Sequence, residues 1–162
     1  MDERPNPLDA VGFDDAAFSL VRDEPKLRAW TTPAGDPLLL HYREALPDIE
    51  APLHDLAKLR AFYAREIARS GGAVIDVNTF VVERCIAIRL LLRADVATAE
   101  RRIVASLTLP FRVSSYVLNL RCDARAGADD PLSRARGTLA QIERTLRLDA
   151  SLRALPRFTW MP

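Results

Sequence analysis

Apolar and polar residues alternate with a period of two along six stretches of the chain, which is the pattern of half-buried β-strands. Short turn signals such as Pro33-Ala34-Gly35-Asp36 separate several of them and indicate hairpins. Glu83-Arg84 is interpreted as a tight turn, although it lacks the glycine that such turns prefer. The six predicted strands are Leu27 to Thr32, Pro37 to Arg43, Ala73 to Val82, Cys85 to Arg93, Arg101 to Leu109 and Ser114 to Cys122.

Two longer stretches repeat their apolar residues every three to four positions and predict amphipathic helices. The first runs from Leu53 to Ser70, with Asp55 near its start and a glycine stop signal at Gly71-Gly72. The second runs through about Leu148, with Asp130 as N-cap and Pro131 in the first helical position.

The order of elements is therefore two strands, a helix, four strands and a helix. Hairpins joined by short loops favour an α+β fold in which two main helices pack on an antiparallel sheet of about six strands. We expect a flexible N-terminal segment over 1–15, a single domain over 16–150 and a C-terminal tail over 151–162.

Composition limits the classes of function. Hydrophobic residues make up 49% of the 162 residues, which is enough for one core, and the formal net charge is +1. A balanced charge argues against binding to nucleic acid or to a membrane surface. The sequence has neither a secretory signal nor an apolar run long enough to span a membrane, so the prediction is a cytoplasmic protein without direct membrane insertion. Cys85 and Cys122 are predicted to be buried free thiols.

The stretch Ser106-Leu107-Thr108-Leu109-Pro110-Phe111-Arg112, followed by Ser114-Ser115-Tyr116-Val117-Leu118, resembles small bacterial proteins of unknown function with the PsbP-like/DcrB-like fold. The order of elements over roughly 27–148 is similar as well. The resemblance implies an α/β sandwich and, usually, a non-catalytic role; some members are adaptors or chaperones for secreted effectors. No catalytic residues come with it.

Catalysis or metal binding needs groups that converge, and the sequence offers few of them. The two histidines, His41 and His54, fit no metal-ligand spacing, and no nucleophile elbow or phosphate loop occurs. We therefore expect no cofactor and no metal.

Strand alternation can place a set of polar side chains on one side of the sheet. These candidate binding residues are Arg89, Ser106, Thr108, Asn119, Arg121 and His41. They are either the solvated face of a half-buried sheet or a polar groove for an anionic or peptide ligand, because a strand arginine is a fixed, always-charged donor. In the C-terminal tail, Trp160 with Phe158 and Met161 either anchors a partner or packs on its own domain.

The sequence supports three hypotheses about function. The leading one is a non-catalytic protein-binding module, an adaptor or chaperone for a secreted or effector protein, with a protein partner expected and a homodimer left open. The second is a small-ligand binder or sensor. The third, an enzyme, would use His41 as general base, because the unperturbed pKa of histidine lies near neutrality.

Overall fold

In the computed structural model, seven antiparallel strands form one sheet, and a two-stranded sheet lies beside it. The structure describes residues 6–44, 53, 55–94, 102–111, 114–124 and 130–153. The strand order of the large sheet is β2-β3-β4-β8-β7-β6-β5. Its strands are β2 (Ser19–Glu24), β3 (Leu27–Thr31), β4 (Pro37–Glu44), β5 (Ala73–Val82), β6 (Cys85–Arg93), β7 (Arg102–Pro110) and β8 (Ser114–Asp123); β1 (Val11–Gly12) pairs with β9 (Arg147–Leu148).

The six strands predicted from alternation are confirmed as β3 to β8, and the α+β fold with an antiparallel sheet is confirmed with them. The additional strand of the large sheet, β2, lies at its edge and has the sequence Ser-Leu-Val-Arg-Asp-Glu. All six of its residues are exposed, so it lacks the buried half on which the pattern depends.

The first helix, α1 (Leu56–Arg69), begins where Asp55 caps it: one carboxylate oxygen accepts from the amides of Ala57 at 3.0 Å and Lys58 at 3.2 Å. It packs over β5 on one face of the sheet. Leu59 and Tyr63 are its buried residues, and they join an apolar cluster on that face. We refer to this side of the sheet as the α1 face.

The second helix, α2 (Pro131–Thr145), packs across β7 and β8 on the opposite face. Asp130 is its N-cap and accepts from the amide of Leu132 at 3.3 Å, as the Asp-Pro signal predicts. The helix ends at Thr145, before the predicted end near Leu148, because Arg147 and Leu148 pair with β1 instead. A third, short helix, α3 (Ala150–Arg153), follows.

The described part of the predicted flexible segment 1–15 packs against the α2 side of the sheet. Residues Pro7–Ala10 form a 3₁₀ helix, and Leu8, Val11 and Phe13 are buried. The ring of Phe13 contacts that of Trp30, with centroids 5.1 Å apart. An apolar residue among prolines and acids is a weak sequence signal, yet these side chains belong to the same core cluster as the buried residues of α2.

Cys85 and Cys122 are both buried and form no disulfide, as predicted. Burial raises the pKa of the Cys122 thiol to about 12, and the carboxylate of Asp36 adds to the shift. Among the residues described, no helix has the length and apolarity needed to cross a membrane.

Candidate functional site

Five of the six candidate strand residues lie on the α1 face. Residues directly opposite each other in an antiparallel pair project to the same side, so the register decides this. His41 lies opposite Val117, which lies opposite Thr108; in the next row Asn119 lies opposite Ser106. Arg121 is two positions beyond Asn119 on β8 and projects the same way.

Arg89 does not join them. It lies on the face covered by α2, where its Nε donates to Glu143 Oε1 at 2.5 Å and its guanidinium carbon lies 5.5 Å from the centroid of the Phe80 ring. The prediction that all six polar residues share one side of the sheet is therefore wrong for Arg89. Alternation shows which residues of one strand share a side. Which residues of different strands share a side depends on the register between the strands, and the sequence does not reveal that register.

Ser106 and Thr108 share the α1 face but are covered. Their residual exposures are 6% and 7%. The hydroxyl of Tyr63 from α1 hydrogen bonds with Thr108, and burial raises the pKa of Tyr63 to about 12. Thr108 therefore supports the contact between helix and sheet, and the burial of both side chains leaves them little access to a ligand.

His41 is half-buried near the middle of β4. Burial lowers its pKa from 6.5, and the positive charge of Arg43 on the same side of the strand lowers it further. Within the described residues it makes no hydrogen bond to a carboxylate or a hydroxyl, and its neighbours across the strands are Leu27 and Val117. The environment of His41 thus disfavours the charged imidazole, and neither of the two residues directly opposite it carries a nucleophile.

On β3, β4 and β8, six side chains of the α1 face are half-buried or exposed, whereas Ala29, Ser115 and Val117 between them are buried. We call this surface the open face; its residues are Leu27, Leu39, His41, Arg43, Asn119 and Arg121. Leu27, Leu39, His41 and Asn119 are half-buried, whereas the two arginines are exposed. Neither arginine forms an ion pair with a residue in the described ranges. The open face thus combines apolar contact area with two exposed positive charges.

Sequence reasoning missed three members of the open face. Arg43 is two positions from His41 on the same strand, so the alternation that selected His41 also selects Arg43. Leu27 and Leu39 carry no comparable signal, because a half-exposed leucine in a strand has the same sequence pattern as a core leucine.

Two other sequence predictions concern the aromatic residues of the C-terminal tail and metal binding. Trp160, with Phe158 and Met161, lies outside the described residues. Among the residues that the structure does describe, no group of three or more His, Cys, Asp or Glu side chains is placed to hold a metal ion.

No protein-family model matches the sequence, and no curated protein matches it. Solved structures do match the fold. The solution structure of the cyanobacterial PsbP protein CyanoP from Synechocystis sp. PCC 6803 aligns with a TM-score of 0.58 and 11% identity, over 90% of this chain and 91% of that one. The crystal structure of the Saccharomyces cerevisiae Ran-binding protein Mog1p aligns with a TM-score of 0.58 and 10% identity, over 88% of this chain and 93% of that one.

These likenesses confirm the PsbP-like fold that the Pro110-Phe111 turn and the following strand indicated. At 10 to 11% identity they establish the architecture and carry over no residue.

Proposed function

We propose that this chain is a non-catalytic protein-binding module that holds its partner on the open face. The observation that carries the proposal is the pairing of half-buried leucines with two exposed arginines that have no ion-pair partner among the described residues. Apolar contact area next to cations is the composition of a binding surface in which burial contributes affinity and charge contributes orientation.

The spacing of the two charges indicates the size of the contact. Arg121 is one position beyond Leu120, which lies opposite Leu38, and Arg43 is five positions from Leu38 in the other direction along β4, so six positions separate the two arginines. At about 3.4 Å per residue the two arginine backbones are roughly 20 Å apart. A segment of about six extended residues covers that span, and so does a helix of about thirteen. A partner that carries acidic side chains near both ends and apolar ones between them complements this surface.

The likeness to Mog1p supports a protein partner at the level of the fold, because that protein is described as Ran-binding. Within this proposal, the finer role is that of an adaptor or chaperone for a secreted or effector protein in the cytoplasm of a bacterium, with self-association into a homodimer as a further possibility.

The surroundings of His41 support this proposal over an enzyme. A general base needs a proton to abstract from a positioned group, and Leu27 and Val117, the residues opposite it, supply none.

The test is affinity capture from an extract of the native cells with three proteins: the wild type, the double variant Arg43→Glu/Arg121→Glu and the control Arg65→Glu on the exposed side of α1. We expect the wild type and the control to retain the same partner in stoichiometric amount and the double variant to lose it. Raising the salt concentration should weaken capture, because exposed charges are screened. If the double variant stays folded and retains every partner, the open face is not the binding surface.

A further inference from the structure

A separate cavity lies on the other side of the sheet, between α2 and the edge formed by β5 and β6. Its volume is about 190 Å³. Its charged lining consists of Asp76, Arg89, Arg136 and Glu143; its apolar lining consists of Leu91, Leu139 and Ala140. The open face shares none of these residues, so a ligand in this cavity would bind independently of a protein partner on the open face.

Regular structure explains why these side chains converge. Asp76 lies directly opposite Leu91 in the β5–β6 register, and Arg89 is two positions along β6 on the same side. On α2, positions 136, 139, 140 and 143 lie along one side of the helix. The cavity is therefore formed by two rigid elements and needs no loop to complete it.

The guanidinium of Arg89 is held in the cavity wall, and some of its N–H donors make no hydrogen bond to the described residues. Its Nε donates to Glu143, and its planar group lies over Phe80. Its terminal Nη groups make no hydrogen bond to the part of the chain that is described. Arg89 therefore presents a pre-oriented pair of donors to an acceptor inside the cavity, in the geometry that suits a carboxylate.

Arg136 and Asp76 in the cavity wall can also form further hydrogen bonds. Arg136 is exposed and forms no ion pair within the described ranges. Both oxygens of Asp76 accept from Asn78 Nδ2, at 3.2 and 3.1 Å, which orients the carboxylate without neutralising it. Each carboxylate oxygen can accept a further hydrogen bond.

Two arginines and two carboxylates make the lining neutral overall, with its positive and negative groups on distinct atoms. A ligand with a net charge of either sign would be attracted by one half of the lining and repelled by the other. A zwitterion satisfies both halves, with a carboxylate at the arginines and an ammonium group at Asp76. A volume of about 190 Å³ lies below the range of drug-sized sites, so the ligand has few heavy atoms.

We propose that this cavity binds a free α-amino acid with a small aliphatic side chain. Its carboxylate is held by the Nη groups of Arg89 and by Arg136, and its ammonium group by Asp76. Its side chain lies against Leu91, Leu139 and Ala140. Arg89 thus becomes part of a ligand site, though on the face opposite to the other five candidate strand residues.

Calorimetric titration of the full chain with L-valine tests the proposal, using two truncated probes of similar shape. Isovalerate keeps the carboxylate and lacks the ammonium group; isobutylamine keeps the ammonium group and lacks the carboxylate. We expect valine to bind, and each truncated probe to bind at least about tenfold more weakly, because each leaves one charged group of the lining without its partner. A panel of the other natural amino acids then ranks the side chains.

Variants locate the site. Asp76→Asn and Arg136→Gln are each expected to weaken amino-acid binding by about tenfold or more, since each removes one charge-assisted contact. Arg144→Gln, on α2 but outside the cavity, should bind like the wild type. The comparison of probes uses only the wild-type protein, so it holds even if a variant fails to fold. The proposal is overturned if no amino acid binds at several millimolar, if isovalerate binds as tightly as valine, or if Asp76→Asn and Arg136→Gln bind as tightly as Arg144→Gln.

Discussion

Arg134 of α2 and Asp36 of the turn between β3 and β4 form a doubly hydrogen-bonded ion pair inside the protein. Arg134 Nε lies 2.7 Å from Asp36 Oδ2, and Arg134 Nη2 lies 3.1 Å from Asp36 Oδ1. The side chains are 11% and 1% exposed. The hydrogen bond to Asp36 raises the pKa of Arg134 above its ordinary value. The pair connects a hairpin turn to a helix 98 residues later in the chain.

Replacing the arginine of this pair should destabilise the folded protein. Arg134→Met removes the positive charge and the two hydrogen bonds that Arg134 supplies to the buried Asp36 carboxylate, and we expect the free energy of unfolding to fall by about 3 to 5 kcal/mol. Adding Asp36→Asn to that variant removes the buried negative charge and should restore part of the loss. Denaturant titration measures both changes. Arg144→Met on the exposed side of the same helix is the control, expected within about 0.5 kcal/mol of the wild type. Equal losses in Arg134→Met and Arg144→Met would show that the pair has no structural importance.

Replacing each of two glycines by alanine should change the free energy of unfolding in opposite directions. A Cβ at Gly137, in α2, would meet no atom within 4 Å, so Gly137→Ala should raise the free energy of unfolding by about 1 kcal/mol through helix propensity. A Cβ at Gly72 would lie 2.7 Å from the carbonyl oxygen of Arg93 and 2.9 Å from Ile67 Cγ2, so Gly72→Ala should lower it. Thermal and urea unfolding of the two variants checks the prediction; a stabilising Gly72→Ala would contradict the close approach.

The turn between β5 and β6 stores backbone strain. Glu83 and Arg84 both adopt positive φ, at 46° and 71°, and neither is glycine. Arg84→Gly should therefore raise the free energy of unfolding by about 1 kcal/mol, because the left-handed conformation costs a residue with a Cβ about that much. Arg84→Ala keeps the Cβ and should show no such gain, which makes it the matched control. Glu83 is left unchanged, because its Oε2 accepts from the amide of Leu148 at 2.7 Å. If Arg84→Gly is no more stable than Arg84→Ala, the turn is not strained.

The pKa of His41 is lowered in the folded protein, so stability should depend on pH through this residue. Between the folded pKa and the ordinary value of 6.5 the unfolded chain binds more protons than the folded one. The free energy of unfolding therefore begins to fall as the pH drops through 6.5, and this contribution is fully lost below the folded pKa.

Urea titrations at about pH 7.5 and about pH 5.5, on either side of the ordinary histidine pKa, test this for the wild type and His41→Gln. Other titrating groups are common to both proteins, so the comparison isolates His41. We expect the acid-induced loss to be smaller in the variant; an identical loss in both would mean that the environment of His41 does not disfavour its charged form.

The strands and helices could be predicted from the sequence because their signals are local. Asp55 and Asp130 cap their helices as expected, since a cap involves residues only two or three positions apart. The edge strand β2 escaped prediction because no part of it is buried. The ion pair of Arg89 with Glu143 could not be predicted, because Glu143 lies 54 positions away in the sequence and contacts Arg89 only once α2 packs on the sheet.

The open face was predictable in part for the same reason. Alternation identified His41, Asn119 and Arg121 as polar strand positions, but the strand order brings β4 beside β8, and nothing local specifies that neighbour. Which half of the α1 face stays uncovered depends on α1 packing over β5, which is a tertiary choice.

The neighbouring position of β4 and β8 has a consequence for how the chain folds. Strands β2 to β4 and strands β5 to β8 each succeed one another as sequential hairpins, whereas β4 and β8 pair residues 70 to 82 positions apart, from Glu44 with Ser114 to Leu38 with Leu120. Closing such a loop costs entropy before any contact compensates for it. We therefore expect two hairpin units to form early and their joining at β4–β8 to limit the folding rate. Until then β4 and β8 are both unpaired edges, and the nascent protein is most exposed to aggregation at the strands that later become the centre of its sheet.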